Sequence, residues 1–191
     1  MIYVASYNML PGVVALNAAS GSVLWTYHTA VFFVLGQPVI VSNVLYLSEI
    51  AFDNSLRSAT PDSKHTSDVL ALRVTDGSVL RRYIPHSGKM FGAPMVSQHV
   101  LYLDIRLSAA KGQIPTAIVA LDLETGMETW RSNQLQPFGG IDVIVSQGQI
   151  YAYSPWDYSP ATLVVFQASN GNQLWNHPTN GYIYHVVADF N

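Results

Sequence analysis

The side chains able to do chemistry in this 191-residue chain are six histidines, twelve carboxylates and a few turn serines. His28, His65, His86, His99, His177 and His185 show neither His-x-His nor His-Glu-x-x-His spacing, the patterns that bring two imidazoles to one metal. There is no cysteine, which removes disulfides, thiolate nucleophiles and cysteine zinc sites. Asp122 and Asn17 each precede a glycine turn by four residues, where an Asx side chain accepts hydrogen bonds from turn amides; a general base is the other reading. Ser20 and Ser78 lie in turns with no activating partner implied. No catalytic, metal-binding or cofactor-binding residue is assigned from these patterns.

Residues suited to recognition stand out more. Phe32, Phe33, Phe91, Phe138, Tyr182 and Tyr184 recur in one class of loop. They line an apolar or peptide-binding mouth, or they fill the protein's own core. The segment 50–67 mixes charge with Ser, Thr and Pro and carries Phe52, Arg57, Lys64 and His65, as a recognition loop or a solvated one. Trp156, with Tyr158 close by, suits an interface anchor or a buried loop staple.

The elements that must position these residues come from a repeat. Ala120-Leu121-Asp122-Leu123-Glu124-Thr125-Gly126-Met127-Glu128-Thr129-Trp130 reads as a strand, a turn closed by glycine, and a strand ending in tryptophan. Residues 15–25 repeat it with Gly21 and Trp25, and residues 165–175 with Gly171 and Trp175. Residues 71–81 keep Gly77 but place Arg81 where tryptophan is expected. The four glycines are 56, 49 and 45 residues apart. A second motif, Met1-Ile2-Tyr3-Val4, Val44-Leu45-Tyr46-Leu47, Val100-Leu101-Tyr102-Leu103 and Gln149-Ile150-Tyr151-Ala152, precedes each copy. Strand-rich repeats of about 40–50 residues indicate propeller blades.

These residues resemble the repeat of the pyrroloquinoline-quinone-type β-propellers, Ala-x-Asp-x-x-Thr-Gly-x-x-x-Trp, across essentially the whole chain. The resemblance is tightest at 120–130. It implies that Trp25, Trp130 and Trp175 dock against the neighbouring blade, that Gly21, Gly77, Gly126 and Gly171 are the structural turn glycines of the same motif, and that Arg81 departs from the lock.

The expected fold is an all-β propeller of four four-stranded antiparallel blades in a single domain, 1–191. Blade 1 takes 1–27 plus 183–191, blade 2 takes 36–84, blade 3 takes 92–132 and blade 4 takes 140–177. Residues 1–27 supply only three strands, so a C-terminal strand over 184–189 completes the first blade. It does so in cis, giving a four-bladed ring, or in trans, giving half of an eight-bladed ring formed by a homodimer or by a longer parent chain of which this sequence is half. The longer connections between second and third strands share one face with the fourth-to-first loops. That face, with Phe33, Phe91, Phe138, Tyr182, Trp156 and Tyr158, is the expected binding surface.

Hydrophobic residues make up 49% and charged residues 11%, the balance of a packed domain. The net charge of −3 argues against a nucleic-acid partner. No apolar run reaches the ~18 residues of a membrane span, and Met1-Ile2-Tyr3-Val4 reads directly as a strand rather than a signal segment. Two functions follow from the resemblance. One is a non-enzymatic scaffold, with a protein partner or self-association, similar to the extracytoplasmic propellers of bacterial envelope assembly and of receptor-kinase sensor regions. The other is part of a quinoprotein alcohol or sugar dehydrogenase, with pyrroloquinoline quinone and calcium as cofactors; the adjacent cysteine pair of many such enzymes is missing here.

Overall fold

A computed structural model describes residues 1–6, 12–29, 32–51, 67–90, 92–107, 115–133, 135, 141–153, 161–183 and 185–187. The described residues hold sixteen strands and no helix. They form four antiparallel sheets. The chain divides into two compact units, Met1–Pro85 and His86–Asn191, each holding two sheets.

In the first unit, β1 (Ile2–Ser6), β2 (Gly12–Leu16) and β3 (Val23–His28) make a three-stranded sheet in sequence order. A four-stranded meander follows: β4 (Phe32–Val41), β5 (Val44–Ala51), β6 (Ser67–Arg73) and β7 (Val79–Tyr83). In the second unit, β10 (Val100–Arg106) pairs with both β8 (Lys89–Met90) and β9 (Met95–Ser97), and β11 (Thr116–Asp122) and β12 (Glu128–Arg131) complete that sheet. The last sheet runs β13 (Asp142–Ser146), β14 (Gln149–Tyr153), β15 (Thr162–Gln167) and β16 (Gln173–Pro178). The four expected blades are therefore present as four sheets. Within the segment expected to add a strand to the first sheet, residues 185–187 lie in no strand, and 184 and 188–189 fall outside the described residues.

Turn chemistry fixes the registers. The hairpins entering β5, β10 and β14 place two successive residues at positive φ: Ser42 and Asn43, Gln98 and His99, Gln147 and Gly148. Paired positive φ values match the right-handed twist of the flanking strands. The turn between third and fourth strands is longer than a two-residue hairpin. The Gly21 N–H donates to Asn17 O and the Asn17 N–H to Ser22 O; Gly77 with Arg73, Gly126 with Asp122 and Gly171 with Gln167 repeat this pattern. All four glycines stand between φ 70 and 76, the left-handed region that a side chain disfavours. Asp122 and Asn17 accept from turn amides: Asp122 Oδ1 from Glu124 and Thr125, Asn17 Oδ1 from Ala19 and Ser20.

Each sheet then carries the same irregularity. The register shifts at Ala15/Leu16, Ala71/Leu72, Ala120/Leu121 and Val165/Phe166. A bulge at that point re-aims the next residue of the fourth strand. The positions it serves are Trp25, Arg81, Trp130 and Trp175, which pair across the ladder with Ala15, Ala71, Ala120 and Val165. Interior strands are buried almost throughout, β6 from Ser67 to Leu72 and β11 from Thr116 to Leu121, which is why they read as apolar runs.

Candidate functional site

Two constellations emerge among the described residues, one apolar and recurring, the other charged. The apolar one joins consecutive sheets within each unit. Trp25 leaves the first sheet and its indole N–H donates to the Val74 carbonyl at 2.8 Å. The tyrosine of the second-strand motif, Tyr3, reaches the same carbonyl at 3.3 Å. Its ring lies 5.7 Å from that of Trp25, tilted by 46°. In the second unit Trp130 donates to Ala168 O at 3.0 Å, Tyr102 to the same atom at 3.4 Å, and the two rings stand 5.9 Å apart at 47°. Val74 and Ala168 each precede their turn glycine by three residues. Beneath the indoles sit those glycines. A Cβ on Gly77 would come within 2.5 Å of Trp25, and one on Gly171 within 2.3 Å of Trp130. The glycine serves both the turn and the close approach.

Trp175 and Gly21 stand differently. Trp175 is 44% exposed against 9% for Trp25. A Cβ built on Gly21 meets no atom within 4 Å. Arg81, at the tryptophan position of the second sheet, places its guanidinium 5.6 Å from the Tyr83 ring centre.

The charged constellation lies where β5 and β6 flank residues 52–66. Glu49 and Asp68 are opposed across the ladder, and Glu49 is fully buried. One guanidinium nitrogen of Arg82, Nη1, donates to Glu49 Oε2 at 3.2 Å and to Asp68 Oδ2 at 2.7 Å. Its other terminal nitrogen donates to the Tyr27 hydroxyl at 3.1 Å, tying in the first sheet. Two buried carboxylates thus share one cation. Burial first, and the neighbouring charge of Asp68 second, push the Glu49 carboxyl up to about 7, against the pull of Arg82. The second oxygens, Glu49 Oε1 and Asp68 Oδ1, are buried with no hydrogen-bond partner among the described residues. A group titrating near neutrality inside a fold can hold or release a proton as its surroundings change.

Glu49 and Asp68 flank the segment 50–67 that the sequence presents as a loop; both belong to strands and face each other, and Ile50, Ala51 and Ser67 of that segment are strand residues too. The available signal was a carboxylate at each end of the insertion and an Arg81-Arg82 pair, whose members point to opposite faces of β7. The tyrosines of the repeat were visible, but their donation to the turn carbonyl was not.

Of the expected binding-face residues, Tyr182 is 56% exposed. Phe33 lies in β4, with its side chain outside the described residues; Phe91, Phe138, Trp156 and Tyr158 are outside them altogether. Tyr153 is near the C-terminal segment: its hydroxyl engages the Val186 backbone and Asp142, whose carboxyl is pushed up chiefly by burial. Among the described residues no three His, Cys, Asp or Glu side chains gather as a metal site would require, and no helix is long and apolar enough to cross a membrane.

Comparison with known proteins places this architecture. The chain is similar in structure to the quinohemoprotein alcohol dehydrogenase of Comamonas testosteroni, with a TM-score of 0.60 at 14% identity over 92% of this chain and 33% of that one. Quinohemoprotein alcohol dehydrogenase ADHIIG from Pseudomonas putida HK5 gives 0.57 at 16% identity, over 82% of this chain and 22% of that one. The acylaminoacyl peptidase of Pyrococcus horikoshii gives 0.57 at 12%, over 94% of this chain and 31% of that one. The chain therefore spans a third or less of these proteins, and at such identities the likeness is one of fold. No curated protein matches it in sequence. The family model described as outer membrane protein assembly factor BamB matches residues 66–188, more than half of the chain. Repeat, blade and family model agree, and the chain belongs to this family of pyrroloquinoline-quinone-type repeat β-propellers.

Proposed function

We propose that this protein is a non-catalytic binding scaffold of the bacterial envelope that takes part in outer-membrane protein assembly through its long-loop face. The observation that carries the reading is the match of residues 66–188 to an outer membrane protein assembly factor. The fold supports it with an asymmetry between strand ends. The third-to-fourth turns repeat one hydrogen-bonded geometry in all four sheets. The second-to-third connections differ widely in length, with fifteen residues between β5 and β6 and five between β1 and β2. A uniform scaffold with unequal loops at one end of its strands is how rigid folds present recognition surfaces. The bound class is a polypeptide destined for, or resident in, the outer membrane, and the compartment is extracytoplasmic. Trp156 and Tyr158 would anchor it.

The test is binding of a urea-diluted outer-membrane β-barrel polypeptide to the purified protein, followed by interferometry. Trp156→Ala should weaken binding and leave thermal melting unchanged. Absence of binding by the native protein sinks the reading; lost melting stability in the variant shows Trp156 to be structural.

The dehydrogenase alternative draws on the fold likeness to quinohemoprotein alcohol dehydrogenases. It asks for carboxylates converging on a calcium ion beside the quinone. Glu49 and Asp68, buried carboxylates opposed across the ladder, already share Arg82. Adding quinone and calcium and finding thermal stabilisation with dye-linked alcohol oxidation would reverse the preference.

A further inference from the structure

We propose that Glu49 and Asp68 form a proton-binding site, in which one proton shared between Glu49 Oε1 and Asp68 Oδ1 clasps together the ends of β5 and β6. This inference does not rest on the loop-face reading.

The pair stands near the end of a ladder. Glu49 and Asp68 are direct partners in the β5–β6 register, and Ile50 with Ser67 is the last pair beyond them. Side chains opposed in this way carry their Cβ atoms about 5 Å apart. The Glu49 side chain is fully buried and that of Asp68 is 8% exposed. Arg82 Nη1 donates to one oxygen of each, Glu49 Oε2 and Asp68 Oδ2. The other two oxygens, Glu49 Oε1 and Asp68 Oδ1, are buried with no hydrogen-bond partner among the described residues.

Charge balance points the same way. With both carboxyls ionised, two negative charges and one positive lie together, and two acceptor-only oxygens are left without a donor. Burying such oxygens unpaired is costly. One proton removes both faults. It neutralises one carboxyl, leaves the other balanced by Arg82, and lets Oε1–H donate to Oδ1, so that each orphaned oxygen gains a partner. A divalent metal ion fits worse, because two carboxylate oxygens beside a guanidinium offer few ligands and a repelling charge. The rise of the Glu49 carboxyl to about 7, by burial first and Asp68 second, agrees with this arrangement.

Few other titratable groups face the pair among the described residues. From β7 comes Arg82, and from β3 comes Tyr27, whose hydroxyl accepts from the other terminal nitrogen of Arg82 at 3.1 Å. Burial first pushes the Tyr27 hydroxyl further above its ordinary value, so it does not titrate near neutrality. Strands β2 and β4 hold no titratable side chain. On β1, Tyr3 is engaged with Trp25 and the Val74 carbonyl. Strand alternation puts His28, Tyr46, Arg81 and Tyr83 on the opposite faces of their strands. Loss of the proton therefore leaves two facing carboxylates against one guanidinium, next to the last pair of the ladder. Strand ends open locally at low cost, and this repulsion lowers that cost further.

The experiment is carbon-13 NMR of the side-chain carboxyls in the full chain across a pH series, with amide hydrogen exchange on the same samples. The Glu49 and Asp68 resonances should move in one common step near neutrality, as coupled groups do. Asp68→Asn should lower the Glu49 step by about one pH unit or more, a tenfold loss of proton affinity. Exchange protection of the backbone amides at 48–51 and 67–69, corrected for intrinsic rates, should fall about tenfold from one unit below the step to one unit above it. The amides at 118–121 in β11 should keep theirs. A Glu49 step with Asp68 silent, no step near neutrality, a step that Asp68→Asn leaves in place, or protection that stays constant through the step each overturns the inference. The native spectra and exchange decide it even where the variant fails to fold. A common step with loosening strand ends, in a chain that binds no outer-membrane polypeptide, would uphold it while removing the functional reading.

Discussion

Trp25 covers Gly77 so closely that a single added methyl would stand 2.5 Å from its ring, while the indole N–H closes on Val74 three residues before that glycine. Packing and hydrogen bonding therefore depend on the same turn. Trp25→Ala should destabilise the first unit by about 3–5 kcal/mol, the range for a large buried aromatic. Gly77→Ala should approach that loss, because its Cβ collides with the indole and its φ of +72 is itself strained. The double variant should cost less than the sum, since removing the ring removes the collision. Denaturant unfolding of the four proteins measures the cycle; strict additivity would mean that the two residues do not communicate.

The second unit repeats the arrangement with Trp130 over Gly171. Trp130 is half-buried rather than buried, so Trp130→Ala should cost somewhat less, about 2–4 kcal/mol. Tyr102→Phe removes only the long 3.4 Å bond to Ala168 and should cost about 1 kcal/mol or less, keeping the ring contact. Equal losses from Trp130→Ala and Tyr102→Phe would show that the carbonyl, not the packing, dominates the joint.

How much of this was legible depends on the kind of residue. Gly21, Gly77, Gly126 and Gly171 gave the sheet count and the turns, because only glycine sits easily at their φ and its absence of side chain leaves a fixed mark in the sequence. The Ala-to-Trp spacing gave the fourth strand, while the bulge beside it came only from the strand registers. The acceptor carbonyls of Val74 and Ala168 were invisible, since any residue has a carbonyl and its use depends on the next sheet. The Glu49–Asp68–Arg82 cluster was hidden for another reason. Charge at the end of an insertion reads as solvated loop, and the contacts that Arg82 makes with Asp68, Glu49 and Tyr27 span 14, 33 and 55 residues of sequence.

Arg82 is the sole described cation on two buried carboxylates. Arg82→Met keeps the aliphatic stem and leaves Glu49 and Asp68 facing each other without compensation. Removing one partner of a buried ion cluster costs about 3–5 kcal/mol, and the 41% exposure of the Arg82 side chain puts the expected loss near the lower value. The deficit should shrink as pH falls, because protonation of either carboxyl relieves the repulsion. A deficit independent of pH would assign the loss to packing of the stem instead.

Glu49 itself gives a signed pH dependence. Its carboxyl is held near 7 in the fold against an ordinary value of 4.5, so the native state binds a proton more tightly than the unfolded chain. Where the native state holds more protons, unfolding free energy falls as pH rises. The contribution is therefore complete below pH 4.5, is lost progressively between 4.5 and about 7, and is gone above that. Its span is at most about 3 kcal/mol, from 1.36 kcal/mol for each pH unit of the interval. Glu49→Gln resembles the protonated form at every pH. The difference in stability between variant and native protein should accordingly grow through this window in favour of the variant, leaving Glu49→Gln the more stable protein on the alkaline side. Denaturant melts of both proteins across the window decide it. A difference that stays flat would mean that Glu49 is ionised throughout, held as a carboxylate by Arg82 despite its burial.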